Sequence, residues 1–521
     1  MTSTPWLTVL GVIPLVGALV VVLLPRGRDL LVKQVALLTS LVELVVAIGM
    51  CLDFDKAGPR FQFVESHSWI PAFGVRYAVA ADGIALVLIA LVAVLVPVVL
   101  LASWDDVETI EPGNDAPASG RKSVKSFFAL LLVLETMMVG VFAATDVFLF
   151  YVFFESMLIP MYFLIGSYGG PKRSYAAVKF LLYSLFGGLL MLAAVIGLYV
   201  VSASQGAGTF SFERLTQLDI SHPVQIALFL GFFIAFAIKA PLFPFHTWLP
   251  DAGAEAPVGS AVLLVGILDK VGTFGFLRYC LPLFPYASRV LAPYVIALSV
   301  IGVLYGALLA MGQKDLKRLV AYTSVAHFGF IGMGCFAFTT QAGTGAVLYM
   351  VNHGLSTGAL FMVIGFLVVR GRTRLMGDYS GIARVAPVLA ALFFISGLSS
   401  LALPGLSTFV SEFLVLVGTF TRYKVAAVLA TTGIVLAALY ILLAYQRTMQ
   451  GALSVVHERM KDLRFREVAA VAPLIALMLV LGFYPKPLTD VINPAVAYTM
   501  KDVGAHDPAP TQVAAHPEQS R

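Results

Sequence analysis

Long apolar runs alternate with short polar connectors along nearly the whole chain. Runs of about 20 residues, each able to cross a bilayer core of about 30 Å as a helix, predict fourteen spans. They lie near 5–24, 30–52, 83–103, 126–144, 145–166, 174–202, 223–249, 256–280, 290–311, 318–338, 344–369, 386–421, 424–446 and 467–485. Short alternating strands, the mark of an outer-membrane barrel, are not the pattern, so the predicted class is an all-α polytopic membrane protein. Two spans are interrupted. Span seven carries Lys239-Ala-Pro-Leu-Phe-Pro and span twelve carries Leu403-Pro404-Gly405. Proline removes a backbone donor and clashes with a preceding carbonyl, which predicts helix breaks at Pro241 and at Pro404-Gly405.

The two breaks lie five spans apart, which divides the chain into three N-terminal spans (1–125) and two five-helix units (126–280 and 281–450). A loop with the last span (451–500) and a polar tail (501–521) without apolar periodicity, predicted to be disordered, complete it. Because five is odd, the second unit must run inverted through the membrane, an arrangement that secondary transporters use to build ion paths at broken helices.

Composition sharpens this picture. Of 521 residues, 59% are hydrophobic and 12% charged, against about a quarter charged in a soluble domain. The net charge of +5 records topology and not affinity for nucleic acid. Twenty Lys and Arg residues, including Arg26, Arg28, Arg121, Lys122, Lys317 and Arg318, fall on one predicted side and eight on the other. That bias puts both termini outside a bacterial inner (plasma) membrane. The first run has no basic residue before Arg26, so it reads as an anchor and not a cleaved signal. Cys51, Cys280 and Cys335 show no C-x-x-C spacing, and no Gly-rich dinucleotide turn occurs, so no metal, cluster or redox cofactor is expected on this chain.

With so few charges, those inside spans carry the chemistry, since each costs a few kcal/mol or more near the bilayer centre unless it faces protein or water. Glu155, Lys239 and Lys270 stand near the middles of spans five, seven and eight, with His327 in span ten and Glu412 seven residues beyond Gly405. Acid, base and imidazole groups at one depth are what proton hopping requires, with Glu155 setting the charge state of Lys239 and His327 relaying. Glu135, Lys179, His353 and Asp269 are possible auxiliaries. Each has a plainer reading: a structural ion pair for Glu155 and Lys239, hydrogen-bonded packing for the histidines, snorkelling or pairing for Lys179. Asp269 adjoins Lys270, but helical neighbours point about 100° apart, which makes it a poor partner.

Several segments resemble the antiporter-like membrane subunits of respiratory complex I, most closely the M-type branch, the bacterial counterpart of mitochondrial NADH dehydrogenase subunit 4. These are Tyr151-Val-Phe-Phe-Glu155, Lys239-Ala-Pro-Leu-Phe-Pro-Phe-His246-Thr-Trp248-Leu-Pro-Asp251, Tyr322-Thr-Ser-Val-Ala-His327, Asn352-His353-Gly354 and Leu403-Pro404-Gly405 through Glu412. The resemblance implies that Glu155, Lys239, Lys270 and Glu412 carry protons, that His327 relays them, and that NADH, FMN, iron–sulfur clusters and quinone sit in partner subunits, the related L and N subunits among the neighbours. Glutamate at 412, where those relatives and the cation/proton antiporter subunits usually have lysine, separates this chain from them. The alternatives are a subunit of a multisubunit cation/proton antiporter and a structural spacer whose charges only hold helices together.

Overall fold

The computed structural model describes residues 4–107 and 123–508; Arg121, Lys122 and tail residues 509–521 lie outside the described residues. Among the described residues, thirteen helices are long and apolar enough to cross a membrane. The remaining crossing, span twelve, is divided into two shorter apolar helices, Pro387–Ser400 and Ser407–Phe420. The first half of that span ends because Pro404 cannot donate to the Ser400 carbonyl, and the chain turns through Ala402 and Gly405 with φ of 59° and 93°. Span seven runs His222–Lys239 and resumes only at Leu249–Glu255. Pro241 has no amide to offer the Ala237 carbonyl, which takes Leu242 N–H at 2.9 Å instead, and Trp248 Nε1 donates to the Ile238 carbonyl at 2.8 Å across the unwound stretch.

Burial grades the spans from rim to centre. Trp6–Leu23, Asp29–Asp53 and Lys424–Met449 expose broad apolar faces such as Leu23, Val45, Leu52 and Val425, which lipid or partner chains cover without loss. Val258–Leu283 and Leu316–Phe336 are enclosed almost completely. Span eight is not a uniform α-helix: Leu264–Leu268 and Phe276–Cys280 are π-helical. Wider winding of this kind frees carbonyls and often accompanies function.

The connections gather on two sides. A hairpin of antiparallel strands β1 (Gln62–Ile70) and β2 (Val75–Ala81) lies between spans two and three. It meets the span four–five turn, where Thr145 N–H donates to the Ala78 carbonyl. Asp146 caps span five through Phe148 and Leu149 N–H, and Asp82 caps span three while pairing with buried Arg278 at 2.7 Å. An additional amphipathic helix, Lys486–Asp502, packs on the same side, with Asp502 2.6 Å from Arg60. It corrects the sequence expectation that polar tail begins at residue 501: the helix extends through Asp502, its apolar Ile492, Val496 and Met500 turned inward.

Candidate functional site

Both broken helices place a charge beside the break, but in different surroundings. In the first unit, span five is kinked after Val147–Ser156, one residue beyond Glu155, where Pro160 leaves the Ser156 carbonyl without its helix donor. Glu155 lies against Gly188 of span six; a Cβ there would stand 1.8 Å from Oε1, so only glycine leaves room for the carboxyl. Lys239 is the last helical residue of the first piece of span seven. It is 1% exposed, and Nζ rests 4.7 Å from the centre of the Phe154 ring, a favourable cation–π placement. Glu155 and Lys239 are near enough for their charges to attract. They make no contact pair, and Lys239 Nζ and Glu155 Oε1 are buried without a hydrogen-bond partner.

Below this pair, on the side opposite the hairpin, Asp251 takes Lys179 Nζ at 2.7 Å and Arg318 Nη1 at 2.6 Å. Lys179 therefore pairs. His246, in the unwound stretch of span seven, is buried with Nδ1 unpartnered.

Lys270 joins the two units. It comes two residues after the π-helical segment Leu264–Leu268 ends, next to Asp269, and its Nζ reaches Asp269 Oδ1 at 2.9 Å, His353 Nδ1 at 2.6 Å and the Val265 carbonyl. Three acceptors match the three donors of an ammonium group. The expectation that Asp269 points away from its neighbour is corrected here: the π winding before it turns both side chains to one side, and the pair is buried completely.

From Lys270 the polar groups continue into the second unit. The His353 ring centre lies 5.2 Å from that of His327, edge to face, and the His327 centre lies 5.8 Å from that of Tyr349. Tyr349 donates to Glu412 Oε2 at 3.3 Å. The break in span twelve fixes the orientation of His327, because its Nε2 is 3.0 Å from the Ser400 carbonyl that Pro404 leaves free. A nitrogen facing a carbonyl must carry the hydrogen, so in the neutral ring Nδ1 is the basic atom. It is buried and unpartnered, as are His353 Nε2, Asn352 Oδ1 and the hydroxyls of Ser400 and Ser407. Buried groups of this kind are the ones internal waters satisfy. Asn352 Nδ2 donates to the Ser407 carbonyl at 2.7 Å, tying span eleven to the second half of span twelve.

Glu135 belongs to neither cluster. In span four it faces Glu43 of span two; both are 0% exposed, and all four carboxyl oxygens are buried without a hydrogen-bond partner among the described residues. Two carboxyl groups can hydrogen-bond only with a proton between them. Sequence reasoning passed over Glu43 and Tyr349. Glu43 was visible as a charge in the middle of an apolar run, and Tyr349 as the residue one turn before His353 on the same helical face. Among the described residues no group of three or more His, Cys, Asp or Glu is placed to hold a metal ion.

The family described as NADH:quinone oxidoreductase/Mrp antiporter, transmembrane, matches residues 144–437. NADH-quinone oxidoreductase subunit M of Mycobacterium tuberculosis is 51% identical over 99% of this chain and 97% of its own length. A chain of the respiratory complex I structure from Thermus thermophilus superposes with a TM-score of 0.85 at 32% identity, covering 96% of this chain and all of that one. A chain of the Mrp complex from a Dietzia species shares the fold, with a TM-score of 0.83 at 21% identity over 96% of this chain.

Proposed function

The chain belongs to the NADH:quinone oxidoreductase/Mrp antiporter transmembrane family, and from that premise we propose that it moves protons across the membrane within a proton-pumping NADH:quinone oxidoreductase. The observation that carries this reading is the near-unbroken set of titratable groups from Lys270 through His353, His327 and Tyr349 to Glu412. Glu155 and Lys239 stand at its other end.

The geometry suits charge-driven transfer. Lys239 has no hydrogen-bond partner, so the energy of its ammonium form depends on the Glu155 charge at a distance, on the Phe154 ring and on water. Moving the Glu155 carboxylate a few ångströms or neutralising it changes whether Lys239 keeps its proton. A proton reaching Lys270 can pass to His353 Nδ1 while the Nε2 proton leaves toward basic Nδ1 of His327, which leaves His353 neutral and His327 as the imidazolium. Glu412 lies between the break and the hairpin side, which makes it the last acid before release on that side. The start of span one and the end of helix Lys486–Asp502 lie on the hairpin side, and the cation bias supports reading that side as outside a bacterial plasma membrane.

The free energy for this comes from elsewhere. NADH, FMN, iron–sulfur clusters and quinone belong to partner subunits, and the related L and N subunits are the expected membrane neighbours. A subunit of a cation/proton antiporter is the second reading, supported by the shared fold with the Mrp chain; the higher identity to the complex I chain and glutamate at 412 favour the first.

Lys239→Met and Glu155→Gln in the assembled complex test the assignment. Loss of NADH-driven proton uptake by membrane vesicles with normal assembly supports it. Loss of assembly alone supports a structural role. Transport driven by a sodium gradient without NADH supports the antiporter.

A further inference from the structure

Tyr349 carries an unassigned role. It is 0% exposed and lies between two proton-carrying groups, its ring beside His327 and its hydroxyl on Glu412. Packing alone does not account for the hydroxyl, since phenylalanine fills nearly the same space and burying a phenol away from water costs free energy that a hydrogen bond offsets. Its partner, Glu412, is the one acid inside the spans of the second unit, and it has no cation within ion-pair distance among the described residues. The Tyr349 hydroxyl is the hydrogen-bond donor that the structure gives this carboxylate. A second buried phenol, Tyr440, is close enough to feel the Glu412 charge but makes no hydrogen bond to it. The two tyrosines thus separate hydrogen bonding from mere proximity. On the other flank, His327 Nε2 is held by the Ser400 carbonyl, so the proton His327 can exchange is the one on Nδ1.

We infer that Tyr349 is the proton-relay hydroxyl between His327 and Glu412, an inference that rests on the proposed proton path. In the forward step the Nδ1–H bond of the His327 imidazolium breaks and its proton passes, through one water, to the Tyr349 phenol oxygen. In concert the phenol O–H bond breaks and that proton bonds to Glu412 Oε2. Imidazolium and carboxylate become imidazole and carboxylic acid, the phenol ends as it began, and no electron is transferred. The water is required because the rings lie 5.8 Å apart, centre to centre, yet His327 Nδ1 makes no direct hydrogen bond to the hydroxyl.

The test uses the whole complex in vesicles. Tyr349→Phe keeps the ring and removes the relay; NADH-driven proton transport through this subunit should fall about tenfold or more, the lower end of what a positioned acid–base group contributes. Tyr440→Phe should leave transport unchanged. Site-specific 3-fluorotyrosine at 349 keeps ring and hydroxyl but makes the hydroxyl a stronger acid. A relay answers with a changed transport rate and solvent deuterium isotope effect; a hydroxyl that only ties two helices leaves both as in the wild type. Normal transport in Tyr349→Phe, or an unaltered isotope effect with fluorotyrosine should the phenylalanine variant not assemble, overturns the relay. If Lys239→Met and Glu412→Gln abolish transport while Tyr349→Phe does not, this inference alone fails. If all three variants pump normally, the proton path itself fails.

Discussion

The surroundings of Lys239 and of Glu412 differ although each follows from a proline-broken helix in the fourth place of its unit. Around Lys239 the neighbours are rings: Phe154 touches the ammonium, Phe236 packs on Phe154 at 5.9 Å, and Phe150 packs on both. The nearest opposite charge is held off contact. Around Glu412 the neighbours are donors and acceptors, with Tyr349 on the carboxylate and His327, Asn352, Ser400 and Ser407 behind it. A charge among rings is governed largely by other charges at a distance, because no local hydrogen bond or ion pair compensates it. One among hydroxyls and imidazoles can hand its proton to a neighbour. The same backbone device therefore supports a charge-sensing switch in one unit and a relay in the other, and Lys270 connects them.

That connection should be the most sensitive point. Asp269→Leu strips the buried Lys270 ammonium of its counter-charge, and removing one member of a buried pair costs about 3–5 kcal/mol. Thermal denaturation of the purified complex, or its yield, should show this directly. Replacing both, Asp269→Leu with Lys270→Met, should recover most of the stability without recovering transport, because two apolar side chains need no compensation. If the double variant is no more stable than the single one, the pair is not what holds span eight.

At Glu412 the expected loss is kinetic. Glu412→Gln keeps an oxygen for the Tyr349 hydroxyl but cannot release a proton, so NADH-driven transport should fall about tenfold or more with little change in thermal stability. Equal losses of transport and stability would mean that the carboxylate is structural, and the contrast between the units would disappear.

Much of this was legible in the sequence, and the limits have physical causes. The breaks followed from proline chemistry, and the buried charges stood out against an apolar background. The pairing of Asp269 with Lys270 could not be read, because it depends on π winding that no residue type announces. Contact between Glu155 and Lys239 was expected from their depth, whereas the structure separates them; depth fixes position along the membrane normal and leaves position in the plane undetermined. The helix Lys486–Asp502 was hidden by its mixed composition and by Pro487 and Pro494, which suggest a loop until the buried stripe of Ile492, Val496 and Met500 is seen.

Gly188→Ala probes the switch without touching a charge. The added methyl would overlap the Glu155 carboxyl at 1.8 Å from Oε1, so the carboxyl must move relative to Lys239. Overpacking of this sort costs about 1 kcal/mol or somewhat more. Transport should fall severalfold, less than in Lys239→Met, because the charges remain and only their separation changes. An unchanged rate would show that the Glu155 position is not what Lys239 senses.

Smallest of all should be the effect at Glu135. It shares with the proton line the two properties that marked it in the sequence, charge and depth, but its carboxyl faces Glu43 of span two, while Glu155 faces Gly188 and span six. No chain of polar side chains among the described residues links the two acids. Glu135→Gln keeps a polar group of the same shape opposite Glu43 and offers it an amide donor, so proton transport in vesicles should stay within about twofold of the wild type, since no acid–base group of the line is lost. Glu135→Leu, by contrast, leaves Glu43 enclosed with nothing to bond to, and the first three spans should loosen by about 1–3 kcal/mol, read as faster proteolysis of the 1–125 region. A tenfold transport defect in the glutamine variant would place this acid on the path after all, and would mean that the aromatic surroundings of Lys239 do not bound the switch on that side.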